Sequence, residues 1–220
     1  MRDEDFEVFI EEFGEAFDRE GVPPESLDLW RGKLPPYLLR LWSEEGWSGY
    51  ADGLFWFVNP DDYEEIVDAW VTETPLSNLD KFHVFARSAF GDLYLCGEKS
   101  GSSATISTLL HSIIAVPGRL NPKSEHQKDI SIKSFLLSSK DGFDFKDASD
   151  KYLFRRAVKE LGPLERDEMF GFEPAIVAGG KPQLDNLRKF KIDQHVTILR
   201  QLAPPNIPFS NVDIDRLLKS

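Results

Sequence analysis

Residues 82–96 have the sequence FHVFARSAFGDLYLC, which predicts a β-hairpin at the centre of the fold. The two apolar runs, 82–86 and 92–96, are rich in the aromatic and β-branched residues that favour strands. Residues 89–91, with Gly91 at their end, form the predicted connection. After the polar residues 100–103, a third strand is predicted at 104–107.

Helices are predicted on the amino-terminal side of this hairpin. Pro35 and Pro36 suit the first turn of a helix that ends at Gly46, because no backbone donor is needed there. The aromatic run 53–58 predicts a buried strand, and Asn59 can then cap a further helix. Strands clustered between helices predict an α+β fold with mixed or antiparallel sheets flanked by helices.

The first segment predicts an amphipathic helix that extends as far as Gly21 and Pro23. Its apolar stripe consists of Phe6, Phe9, Phe13 and Phe17. The opposite face carries the four acids Glu7, Glu11, Glu15 and Asp18. These acids are either a solvated face or a docking surface for a basic partner, and they are the candidate partner-binding residues.

The composition changes near residues 116–118, which predicts two packed subdomains, 1–115 and 116–220. The second half predicts helices at 130–137, 147–161 and 195–202, and a short strand before the last of them. Two short strands with a tight turn are expected between 167 and 180. A short turn is expected at 215–218.

The net charge of −12 limits the classes of partner. On average the chain would repel nucleic acid and anionic lipid, and it would attract a basic protein. The alternative is that the acidity serves solubility alone. No apolar stretch is long enough to span a membrane, and the acidic start is unlike a signal peptide, so a cytoplasmic location is expected.

The residues predict no catalytic site, metal site or cofactor. Cys96 lies in an apolar run that is typical of a buried small side chain, and no second cysteine is present for an internal disulfide. The four histidines are scattered, although His126 and Asp129 could share a helix face. Gly179-Gly180-Lys181 is followed by proline and lacks the spacing of a phosphate loop, so a glycine turn is predicted.

Two blocks of sequence resemble known families. The first includes Gly32, Leu34-Pro35, Gly46-Trp47, Gly53-Leu54-Phe55-Trp56, Val58-Asn59-Pro60 and the run from Phe85 to Tyr94, and it is similar to the GAD-like domain. The second includes Leu161-Gly162, Asp167-Glu168, Phe170-Gly171-Phe172, Pro174-Ala175, Gly179-Gly180 and the segment from His195 to Leu202. It resembles the C-terminal domain of type VI secretion immunity proteins that protect against DNase effectors.

The resemblance implies an immunity protein without enzymatic activity. Such a protein would bind a cognate toxin, a basic nuclease, and would neutralise it by occluding or distorting its active site. One alternative is an effector adaptor or chaperone that binds without inhibiting. The other is an enzyme with an unfamiliar site, which would require a cleft with converging, strongly perturbed titratable groups.

Overall fold

The computed structural model describes residues 2–208, and this part of the chain folds into helices and antiparallel strands. The helices are α1 (Glu4–Phe13), α2 (Pro24–Trp30), α3 (Pro36–Glu45), α4 (Glu64–Val71), α5 (Glu125–Leu136), α6 (Phe154–Leu161) and α7 (Ile192–Leu202). The strands are β1 (Phe17–Glu20), β2 (Trp47–Tyr50), β3 (Phe55–Phe57), β4 (Phe82–Ser88), β5 (Asp92–Gly97), β6 (Gly101–Ser107), β7 (Ser112–Ala115), β8 (Glu168–Phe172) and β9 (Leu187–Lys191).

Strands β1 to β7 form one antiparallel sheet in which the spatial order follows the chain order. The predicted hairpin is its centre, with Val84 opposite Leu95, and β3 flanks it with Trp56 opposite Arg87. Strands β8 and β9 form a separate antiparallel pair. The predicted α+β class, with antiparallel sheets flanked by helices, is confirmed.

Helix α1 covers one face of the large sheet with a row of phenylalanines. Phe6, Phe9 and Phe13 are buried on the side that faces the sheet, as their helical spacing predicts. The ring of Phe9 packs edge-on against Tyr50 and Phe55, with centroids 5.0 and 5.3 Å away. The predicted apolar stripe is therefore the contact between α1 and the sheet.

The predicted end of the first helix is wrong, because α1 ends at Gly14 and not at Gly21. Gly14 has φ +82°, a conformation that favours glycine, and its N–H closes the helix on the carbonyl of Ile10. The chain then continues as β1, where Phe17 packs against the ring of Trp56. Phe17 and Asp18 consequently lie on a strand and not on the helix.

The predicted proline start and glycine end of α3 are confirmed, whereas the helix predicted directly after Asn59 begins later, at Glu64. Helix α3 has proline in its first turn and ends at Gly46, whose N–H donates to the carbonyl of Trp42. The side chain of Asn59 accepts a hydrogen bond from the N–H of Asp61 and caps a short 3-10 turn. That turn leads into α4.

Two predictions in the second half are corrected by the structure. Helix α6 begins at Phe154 and not at 147, because the carboxylate of Asp147 accepts the N–H groups of Ser149 and Lys151 and closes a local turn. Residues 176–178 form a 3-10 turn, so the strand that pairs with β8 is β9. The turn expected at 215–218 lies outside the described residues.

One continuous hydrophobic core includes residues from both predicted subdomains. The ring of Phe90, at the tip of the central hairpin, lies 5.9 Å from the ring of Phe170 on β8. The N–H of Phe170 also donates to the carbonyl of Ala89. The chain turns at Pro117–Arg119 just after β7, and the division at 115/116 stays a prediction.

Stability is expected to depend on pH through Asp92 at the start of β5. Burial of its carboxyl group raises the pKa of Asp92 to about 6, although Ser107 donates a hydrogen bond to it at 2.7 Å. A carboxyl whose pKa is higher in the folded state stabilises the fold while protonated, and this stability is lost as the pH rises through about 6. Asp92→Asn cannot ionise, so its stability relative to the wild type should increase as the pH rises from about 4 to about 6 and stay constant above that.

Urea unfolding of both proteins between pH 4.5 and pH 8 tests this expectation. The stability of Asp92→Asn relative to the wild type should increase by about 1–3 kcal/mol across this range. Other titrating groups are common to both proteins and cancel in the difference. A difference that stays constant with pH would show that Asp92 keeps an ordinary pKa in the fold.

Candidate partner-binding surface

A large cleft lies beside the carboxyl end of α1. It has a volume of about 890 Å³, and Phe13, Leu54 and Phe154 contribute apolar surface to it. Six carboxylates and two cations also line this surface, which we call the acidic cleft: Glu11, Glu12, Glu15, Asp52, Asp141, Asp144, Lys140 and Arg155. The cleft is therefore acidic in a chain that is itself acidic.

Three chain segments meet at the acidic cleft. Helix α1 ends at Gly14 beside it, and the connection between β2 and β3 supplies Ala51 and Asp52. Both of these residues have positive φ, 50° and 58°, which is uncommon outside glycine. The third segment is the 3-10 turn Lys140–Phe143 and the residues that follow it. Strained backbone at a cleft supports a functional role for it.

The carboxylates of the cleft differ in their partners. Arg2 holds Glu15 through two hydrogen bonds of 2.9 and 2.7 Å, which lower the pKa of Glu15. Glu12 accepts one long hydrogen bond of 3.4 Å from the N–H of Lys140. Within residues 2–208, the exposed side chains of Glu11 and Asp52 form neither a hydrogen bond nor an ion pair. These two carboxylates are available to a basic partner.

Asp144 has a structural role in the cleft. Its carboxylate accepts the N–H groups of Phe145 and Phe154 at 2.7 and 2.9 Å. Burial raises the pKa of Asp144, although these hydrogen bonds oppose the shift. The second bond reaches the first residue of α6, so Asp144 joins the wall of the cleft to that helix.

The structure brings two of the four candidate acids together at the cleft. Glu11 and Glu15 line it, and Glu7 is exposed on α1 outside the lining. Asp18 lies on β1, where Nε of Arg166 approaches its carboxylate to 3.3 Å and the guanidinium also donates to its carbonyl. Sequence periodicity could not find Asp52, Asp141 or Asp144, because they come from connections far from α1 in the chain.

The candidate reactive groups lie elsewhere. Cys96 is fully buried in β5, and burial raises the pKa of its thiol, as suits a small apolar side chain. Gly179 has φ +89° at the end of a 3-10 turn, so the predicted glycine turn is confirmed there. No group of three potential metal ligands occurs among residues 2–208.

The histidines have separate environments. His83 is buried, with Nε2 3.1 Å from a carboxylate oxygen of Glu98, and burial lowers its pKa. His195 stacks on the ring of Phe190 with centroids 4.0 Å apart, and burial lowers its pKa too. His126 is exposed on α5, whereas Asp129 on the same helix accepts the N–H of Tyr37.

Within the described chain, no helix is long and apolar enough to cross a bilayer. Residues 4–110 match the GAD-like domain family, and residues 129–203 match the family described as T6SS immunity protein Tdi1, C-terminal. No curated protein matches the chain. The crystal structure of Atu4351 from Agrobacterium tumefaciens is similar, with a TM-score of 0.80 and 22% sequence identity. The alignment covers 95% of this chain and 94% of that one, and it establishes a common fold.

Proposed function

We propose that this chain, which carries a GAD-like domain followed by the C-terminal domain of a T6SS immunity protein, binds and neutralises a cognate type VI secretion effector. The match of residues 129–203 to the immunity family carries this proposal. We further propose that the effector is a basic DNase and that it is bound in the cytoplasm. Neutralisation would occlude or distort the active site of the effector.

The acidic cleft supplies the chemistry for this recognition. A nuclease that holds DNA carries cations that contact phosphates, and those cations complement a surface of unpaired carboxylates. Glu11 and Asp52 have no partner within residues 2–208, so contact with the effector would break no hydrogen bond or ion pair of theirs. The net charge of −12 adds long-range attraction, which raises the rate of association.

Coexpression with the protein of the adjacent gene tests the function. Restored growth, a stable complex and loss of DNA cleavage are the expected results. A stable complex with undiminished toxicity would instead favour the adaptor or chaperone role. Absence of any complex would contradict both proposals.

The acidic cleft is expected to set the rate of association. The triple variant Glu11→Gln, Glu12→Gln and Asp52→Asn removes three charges, and asparagine tolerates the positive φ of position 52. We expect the affinity for the effector to fall by about 10- to 100-fold at physiological salt, mainly through slower association. Surface plasmon resonance at several salt concentrations measures this change.

A matched variant removes three charges away from the acidic cleft: Glu25→Gln, Glu65→Gln and Asp68→Asn. These residues are exposed on α2 and α4, and both triple variants have the same net charge. The control should lose less than about threefold in affinity, since distant surface charges are screened at physiological salt. Equal losses in both variants would assign the attraction to net charge and not to the cleft.

A further inference from the structure

A second cleft, separate from the acidic cleft, lies where the large sheet meets the segment around β8 and α7. Its volume is about 340 Å³. Apolar and aromatic surface comes from Trp47, Phe57, Val58, Tyr63, Ile66 and Ile192. Its charged lining consists of Glu20, Asp62, Asp167, Asp193 and Arg166. It thus combines apolar walls with an excess of carboxylates.

Two of these carboxylates are already neutralised by cations of the chain. Arg166 approaches Glu20 with a nitrogen–oxygen distance of 3.4 Å, and Lys191 approaches Asp167 at 2.7 Å. Asp62 and Asp193 form no ion pair and no side-chain hydrogen bond with any residue between 2 and 208. The second cleft therefore has two negative charges without a fixed partner.

The surroundings of Asp62 make its charge unfavourable in the free protein. Partial burial raises the pKa of Asp62, the nearby carboxylates of Glu20 and Asp61 raise it further, and the guanidinium of Arg166 opposes the shift. The burial and the two carboxylates disfavour the ionised form, and together they outweigh Arg166. A cation that entered the second cleft would reverse the effect of the two neighbouring carboxylates. Two carboxylates without a partner among residues 2–208 therefore favour a positively charged occupant.

The apolar lining of the second cleft indicates what kind of cationic side chain would fit there. Tyr63 is 6% exposed and Trp47 is 4% exposed, so their rings form a fixed and largely dehydrated boundary. Apolar walls suit the aliphatic stem of a long basic side chain. The guanidinium of arginine is planar and weakly hydrated, which suits a partly buried ion pair better than ammonium does.

We propose that the second cleft is a docking site for one arginine side chain of the effector, which pairs with Asp62 and Asp193. This inference rests on the proposed function, since it assigns a partner to the same protein. The side chain would serve as a central anchor, because buried arginines are frequent energetic centres of protein interfaces. The acidic cleft would provide the attraction at longer range.

The affinity for the effector tests the role of these carboxylates. The double variant Asp62→Asn and Asp193→Asn should bind about 10- to 100-fold more weakly, mainly through faster dissociation, because the docked guanidinium would lose both carboxylates, which are exposed in the free protein. The control is Glu65→Gln with Asp68→Asn, which removes two exposed charges of α4 outside the second cleft. This control variant should change the affinity for the effector by less than about threefold. Unchanged affinity in the first double variant would overturn the inference and leave the immunity function intact.

A second experiment needs no effector. In the full chain, n-butylguanidinium should shift the indole N–H resonance of Trp47 in NMR spectra, whereas n-butanol should not. The shift should be lost in the Asp62→Asn, Asp193→Asn variant. Equal shifts with both compounds, or no shift with either, would overturn the inference. If the wild type failed to bind the effector, the proposed function would be wrong, and this titration alone would decide whether the cleft binds a guanidinium.

Discussion

Replacement of Arg87 by alanine is expected to lower the free energy of unfolding by about 3–5 kcal/mol. The side chain is fully buried, and it donates hydrogen bonds to the carbonyls of Ser88 and Arg166 at 3.3 and 2.5 Å. Its guanidinium also lies 5.1 Å from the ring centroid of Trp56. Alanine would leave two carbonyls without this donor and would open a cavity. Urea unfolding followed by circular dichroism measures the loss.

Arg87→Met separates the volume of the side chain from its charge. Burial lowers the pKa of Arg87, and no carboxylate within residues 2–208 forms an ion pair with it, so the charge itself is unfavourable there. Methionine keeps most of the volume, and we expect it to recover about 1–3 kcal/mol of the loss caused by alanine. Arg155→Ala, at an exposed position, should change stability by less than about 0.5 kcal/mol. An Arg87→Ala loss below about 1 kcal/mol would contradict this account.

Arg87 also joins the two matched sequence regions through a hydrogen bond. It lies on β4 within the GAD-like match, and its bond to the carbonyl of Arg166 reaches the immunity-family match. Arg166 in turn donates to the carbonyl of Trp47 on β2 and lines the second cleft. This chain of contacts ties the walls of the second cleft to the centre of the sheet.

Local signals in the sequence predicted much of the fold. The hairpin, the strand before Asn59 and helix α3 were predicted because apolar runs, proline and glycine act on neighbouring residues. These strands and this helix are also buried in the fold, and their burial agrees with the secondary structure that their own residues favour. The helix end at Gly14 was missed, because Phe17 happens to follow Phe13 at helical spacing although it is the first residue of β1.

Less of the acidic cleft could be predicted from the sequence. Glu11 and Glu15 were named from charge on the first segment, but the acidic cleft also needs Asp52, Asp141 and Asp144. Their convergence depends on tertiary packing, for which one sequence has no periodic signal. The second cleft was missed for the same reason, since Asp62 and Asp193 are more than a hundred residues apart.

Replacement of Phe9 by alanine is expected to destabilise the protein by about 3–5 kcal/mol, and to lower its melting temperature by roughly 6–20 °C. Phe9 is 1% exposed, and its ring lies between those of Phe6 and Phe13, with centroids 5.3 and 4.4 Å away. Tyr50 and Phe55 pack edge-on against it from the sheet. Alanine would leave a cavity that these rigid rings could fill only in part.

Val8→Ala provides the control, because Val8 is on the same helix but is 49% exposed. It should change stability by less than about 0.5 kcal/mol. Helix α1 also positions Glu11 at the acidic cleft, so the loss of the Phe9 ring that packs α1 against the sheet should affect binding. At a temperature where Phe9→Ala is still folded, we expect slower association with the effector, whereas Val8→Ala should bind as the wild type does. Normal association by a measurably destabilised Phe9→Ala would show that the position of α1 does not govern recognition.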